Sequence, residues 1–199
     1  MRLGRIEATG GFFLLAAWLN YLDRQHLVPL AAAACLLHEL GHYAAIRLLG
    51  GDIKLIRLTA VGAEMVLSGP LDYWREGAAA LSGPLVNLLL ASFFCRVEGG
   101  ALFAGLNLAL GCFNLLPVGR LDGGRLIFCA LSLAAGPGTA EKIRGWLDRL
   151  LTALLLAAGL WLAGAGGSVT LLLVALWLLV NFLNEKRADL GLVMPGRNR

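Results

Sequence analysis

The chain has 199 residues, of which 58% are hydrophobic and only 15% charged, against about 45–50% and about 25% in ordinary soluble domains. So much Leu and Ala cannot be hidden in a soluble core of this size, which excludes a water-soluble globule and points to an all-α polytopic membrane protein. The net charge of +4 does not indicate nucleic acid, because the Lys and Arg residues fall between apolar runs, as membrane topology requires, and form no single patch.

Six apolar segments follow one another: Gly10–Leu22, Leu27–Leu49, Gly77–Val97, Ala101–Val118, Leu150–Ala165 and Val169–Leu183. The second, third and fourth reach the length of a spanning helix, about 17–25 residues. The other three are short and must borrow flanking residues or sit in thinner bilayer. Arg2 and Arg5 before the first segment resemble the start of a signal peptide, but no small-residue cleavage pattern follows, so a first membrane helix is expected. With the N-terminus in the cytoplasm, fifteen of the 17 Lys and Arg fall on the inner side or its helix ends and only Arg24 and Arg96 on the outer. The expectation is about six transmembrane helices with both termini cytoplasmic. Residues 1–199 form one domain with its core at about 27–125.

Between the second and third segments, Ile53–Ala60 and Ala63–Leu67 flank Gly62 and read as a small re-entrant β-hairpin. Leu121–Ala134 reads as a further helix, stopped by Gly136-Pro137-Gly138. Cys35, Cys95, Cys112 and Cys129 all lie in apolar stretches without a CxxC pair and are expected to be small buried hydrophobes.

The second segment carries His38-Glu39-Leu40-Gly41-His42. Two histidines four apart share a helix face and can reach one metal ion, while the glutamate can take a proton from attacking water. Left unpaired inside an apolar span, such ionisable groups cost about 2.5–3.5 kcal/mol each or more, which metal ligation offsets. A catalytic zinc wants a third protein ligand. His26 lies well before His38, at the outer end of the segment. Glu64, downstream of His42, and Asp122, beyond the Asn114-x-x-Pro117 break, are the carboxylate candidates. Irregular backbone at that depth needs surrounding protein or a water-filled cavity.

His38–His42, Ser82-Gly83-Pro84-Leu85-Val86-Asn87 and Asn114–Gly124 with its Leu-Asp-Gly-Gly together resemble the site-2 proteases, intramembrane zinc metalloproteases. The resemblance implies regulated intramembrane proteolysis with one Zn²⁺ per chain. It makes His38, His42 and Asp122 the zinc ligands, Glu39 the base, and Asn114 and Asn87 residues near the substrate or oxyanion. The layout is most similar to the sporulation-type branch, so a sigma-factor precursor or an anti-sigma factor is the expected kind of membrane-tethered substrate. A membrane regulator or a homo-oligomer is compatible with it. That branch's nucleotide-sensing domain and the PDZ insertion of other branches are both absent from these residues, so no PDZ-type filtering is expected. A substrate helix must unwind, and pairing with Ile53–Leu58 would replace its lost hydrogen bonds. Two other functions share these residues: a metal transporter, which wants ligands strung along a path, and a non-proteolytic membrane scaffold.

Overall fold

The structure is a computed structural model that describes residues 2–3, 6–23, 27–59, 62–119 and 121–166, with 172–173, 175–176 and 179–180 of the last apolar segment. The order is β1 (Arg2–Leu3), β2 (Ile6–Ala8), α1 (Gly10–Leu22), α2 (Leu27–Leu48), β3 (Ile53–Thr59), β4 (Gly62–Leu67), α3 (Tyr73–Phe94), α4 (Ala101–Asn114), α5 (Asp122–Ala135) and α6 (Pro137–Gly164). The chain divides into two compact units, Met1–Glu141 and Lys142–Arg199. His26, and most of the sixth segment expected at Val169–Leu183, lie outside the described residues.

Helix ends follow local chemistry. The Thr9 side chain accepts from Phe12 N at the start of α1. Asp23 accepts from Leu27 N and Val28 N at 2.8 and 2.9 Å, placing a carboxylate on the first free N–H groups of α2, where the helix dipole favours it. α4 is 14 residues long, about 21 Å at the helical rise. It is therefore shorter than the spanning helix expected over Ala101–Val118. Leu115 and Leu116 close its last turn, and Pro117 has no N–H with which to continue it. α3 (22 residues) and α6 (28 residues) are long and apolar enough to cross a membrane. α2 has 22 residues as well, but His38, Glu39 and His42 lower its hydropathy.

The hairpin expected after α2 forms, with β3 and β4 antiparallel. It belongs to a larger sheet than expected. β2 lies parallel to β3, Ile6 opposite Ile56 and Ala8 opposite Leu58, and the order is β1-β2-β3-β4. Over Ile56–Leu58 β3 is bonded on both sides, so that part of the substrate strand expected on Ile53–Leu58 is already paired, and among the described residues β4 is the edge strand next to it. The fold is therefore mostly helical with a four-stranded sheet. The N-terminal strands escaped the sequence reading because two or three residues carry no period.

Ile46 at the end of α2, Ile53 of β3 and Ala79 of α3 form an apolar core with Leu49, Ile56, Met65, Leu67 and Leu71 packed against it. Deeper in the first unit, α2, α3 and α4 meet through small residues. A Cβ on Gly41 would lie 2.9 Å from Val86 Cγ2, and one on Gly111 3.2 Å from Asn87 Cβ. Small-residue contact is how helices approach closely in lipid. In the second unit Gly159 of α6 packs on the Leu172 backbone.

Of the cysteines, only Cys129 is buried; Cys35, Cys95 and Cys112 are free and exposed, contrary to the sequence expectation. Exposure of apolar side chains is general: Trp18, Leu36, Leu48, Phe93 and Trp161 all face outward.

Candidate metal centre

α2 presents His38 and His42 one turn apart, their rings nearly perpendicular at 86°. Asp122 opens α5, in the turn that Pro117 forces at the end of α4. The turn is tight, and a Cβ on Gly123 would overlap the Leu115 and Leu116 carbonyl oxygens. Further along α5, Gly77 of α3 packs against Cys129 and Arg125 pairs with Glu76 at 3.2 Å. These contacts carry the Asp122 carboxylate over the two imidazoles.

Three atoms converge. His38 Nε2 lies 3.1 Å from His42 Nε2 and 3.1 Å from Asp122 Oδ2, and His42 Nε2 lies 3.2 Å from the same oxygen. All three residues are largely buried. Gly83 of α3 faces them across so little space that a Cβ there would overlap His42 Nε2 and come within 2.9 Å of His38 Cε1.

The outer ring nitrogens fix the protons. His42 Nδ1 is 2.7 Å from Ala79 O, and a carbonyl only accepts, so Nδ1 carries the hydrogen. Ser82 Oγ donates to the same carbonyl. His38 Nδ1 lies 2.5 Å from Asn87 Oδ1, while the Asn87 Nδ2 group donates elsewhere; His38 Nδ1 is therefore the donor too. With both rings neutral, each turns a bare Nε2 electron pair toward Asp122 Oδ2. Three acceptors at such close quarters are held together by a cation among them. Three ligands about 2.0–2.1 Å from a tetrahedral ion stand about 3.3 Å apart. The donor set and its spacing fit a divalent metal, and among the described residues His38, His42 and Asp122 are the one group of this kind.

Glu39 is half-buried on α2, next to His38 in the chain. Glu64 is elsewhere: it sits on β4 opposite Arg57, whose guanidinium it meets at 3.3 Å. Asn114 ends α4 and donates to Leu110 O at 3.1 Å. Asn87, expected near substrate or oxyanion, is fully buried behind His38, and its amide is engaged by His38, Ala34 O and Asn107. Asn107, also fully buried, was missed by the sequence reading; the available signal was an amide in the middle of an apolar helix.

Residues 100–158, which include α4, the Asp122 turn and α5, match the model of peptidase family M50. Over 172 residues the chain is 30% identical to a zinc metalloprotease of Methanocaldococcus jannaschii, covering 81% of this chain and 49% of that one. The chain is also 32% identical over 182 residues to Rip3 of Mycobacterium tuberculosis, a candidate zinc metalloprotease, with 81% and 44% covered. It spans about half the length of these curated relatives. Its fold is that of a site-2 protease from Methanocaldococcus jannaschii, with a TM-score of 0.71 at 24% identity, over 100% of this chain and 97% of the other.

Proposed function

We propose that the chain is an intramembrane zinc metalloprotease that hydrolyses peptide bonds within or near transmembrane segments of membrane-tethered proteins. The observation that carries the reading is the convergence of His38 Nε2, His42 Nε2 and Asp122 Oδ2 inside an apolar helix bundle, with Glu39 beside them. The match of residues 100–158 to the model of a peptidase family and the relatives named as zinc metalloproteases support it. The ligands meet at one point, whereas a transporter would string them along a path.

Zinc held by His38, His42 and Asp122 supplies Lewis-acid activation of water and of the scissile carbonyl. Glu39 takes the proton of the attacking water and returns it to the leaving amine. Asn114 has a second Nδ2 hydrogen beyond the one given to Leu110 O and is assigned to the oxyanion side. The open edge of β4 offers main-chain groups to an unwound substrate. The whole chain acts as one membrane domain with six crossings and both termini in the cytoplasm, on the strength of fifteen of 17 basic residues. Tethered sigma-factor precursors and anti-sigma factors are the first substrates to try.

Glu39→Gln decides the matter. The amide keeps the size of the side chain but cannot accept the proton, and general-base catalysis is worth about 10²–10⁴-fold. Co-expressed with a tethered substrate, the variant should insert and keep its zinc while cleavage falls by that factor. Cleavage at the parental rate with zinc present refutes the hydrolytic mechanism.

A further inference from the structure

We propose that Asn87 and Asn107 form a one-way hydrogen-bond relay that fixes the proton of His38 on Nδ1, and so holds the His38 Nε2 electron pair open toward the metal. The inference rests on the metal centre described above and concerns two residues outside its ligand set.

Asn87 of α3 and Asn107 of α4 are the bulkiest completely buried side chains among the described residues, both at 0% exposure. Amides so placed must be fully bonded or they destabilise the bundle. The bonds run in one direction. His38 Nδ1 donates to Asn87 Oδ1 at 2.5 Å; Asn87 Nδ2 donates to Asn107 Oδ1 at 2.8 Å; Asn107 Nδ2 donates to Phe103 O at 2.9 Å. Asn87 Nδ2 also donates to Ala34 O at 3.3 Å.

Direction matters because a carboxamide has two unlike ends. With Asn87 turned over, Nδ2 would face the imidazole, the ring would have to accept at Nδ1, and its proton would move to Nε2. The metal-facing electron pair would then be lost. The turn is prevented at the far end of the chain. Phe103 O is a main-chain carbonyl and can only accept, so it demands Asn107 Nδ2. Asn107 Oδ1 then demands Asn87 Nδ2, and Asn87 Oδ1 demands the His38 Nδ1 hydrogen. Ala34 O makes the same demand on Asn87. Each bond in such a chain polarises the next. His42 reaches the same state in one step, through Ala79 O. Both imidazoles thus end on a backbone carbonyl, one directly and one through two amides on two other helices. Asn87 and Asn107 are positioning residues: they act through His38.

Two substitutions of similar size separate a relay from mere packing. Asn107→Leu suits an apolar interior but offers Asn87 nothing to donate to. Asn107→Asp, protonated in so buried a place, keeps one oxygen that accepts from Asn87 and an O–H that donates to Phe103 O. Zinc affinity of the full chain in detergent is read by competition with a chromophoric chelator. The His38 tautomer of the metal-free protein is read from ¹⁵N-histidine resonances. The parent should show a protonated Nδ1 and bare Nε2 at His38. Asn107→Leu should weaken zinc binding about 10–100-fold, the usual effect of losing a ligand's orienting partner, and shift the His38 resonances toward the other tautomer. Asn107→Asp should stay near the parent in both. Equal zinc affinity and unchanged His38 resonances in a folded Asn107→Leu overturn the relay and leave the metal centre standing. A His38 that carries its proton on Nε2 in the metal-free parent overturns it as well. A parent with protonated Nδ1 that takes up no zinc overturns the metal reading and leaves the relay intact.

Discussion

Gly83 is the residue on which the size of the site turns. It has no side chain to offer, yet the Cβ it lacks would point at both imidazole rings, and a methyl group there would occupy the space of His42 Nε2. Gly83→Ala should therefore act on metal binding more than on folding. The expected result is a protein that inserts and elutes like the parent while its zinc content falls well below one per chain, as measured by elemental analysis. The effect should approach that of His38→Ala or His42→Ala, each of which removes one of three ligands. His38, Glu39 and His42 were legible in the sequence because a helix repeats every ~3.6 residues, so their spacing alone places them on a shared face. Gly83 and Asn87 were visible only as part of a motif, since what they touch lies on α2. Asn107 had no local signal beyond its polarity, because its role depends on a partner on another helix.

At the scale of elements, the two carboxylates considered as third ligand are separated by what each element does with them. Asp122 begins a helix whose glycine-lined start is pressed onto the turn after α4, directly over the histidines. Glu64 lies on a strand, in a row with Arg57 of β3 and Glu7 of β2; the guanidinium is 3.4 Å from Glu7 and 3.3 Å from Glu64. Exposed pairs of this sort contribute only about 0.2–1 kcal/mol. Asp122→Ala should abolish zinc uptake and cleavage. Glu64→Ala should leave both measurable, with at most a small loss of thermal stability; an inactive Glu64→Ala beside an active Asp122→Ala would reverse the assignment. Spacing along the chain offered no way to choose between them, because it says nothing about direction once a hairpin and two helices intervene. The hairpin itself was readable from its Ile, Leu and Val content around Gly62. The other two strands of its sheet were not, because they come from the far end of the first unit's chain.

At the scale of the molecule, burial among the described residues departs from that of a water-soluble protein. The fully hidden side chains include two asparagines, while Leu, Trp and Phe look outward. Composition alone made that legible, and the number of crossings was less so, because segment length is a poor guide where Pro117 cuts a helix short. The parallel pairing of β2 with β3 supplies what length does not. It bonds residues 6–8 to residues 56–58, with Thr9 N donating to Leu58 O at 3.0 Å, and among the described residues the only helices between them in the chain are α1 and α2. Two points hydrogen-bonded to each other lie on one face of a membrane, so the chain joining them makes an even number of passes. If α2 crosses the bilayer, α1 crosses with it. It has 13 residues, about 20 Å of helix against a hydrocarbon core of about 30 Å, and Trp18 and Tyr21 stand exposed near its end, as at an aromatic interface. Reconstitution in shorter-chain lipids should accordingly raise thermal stability above that in long-chain lipids; the opposite trend would place α1 outside the membrane. Parity is also indifferent to which way the protein was inserted: cysteines placed at Ile6 and Lys54 should react with an impermeant thiol reagent from the same side, together or not at all.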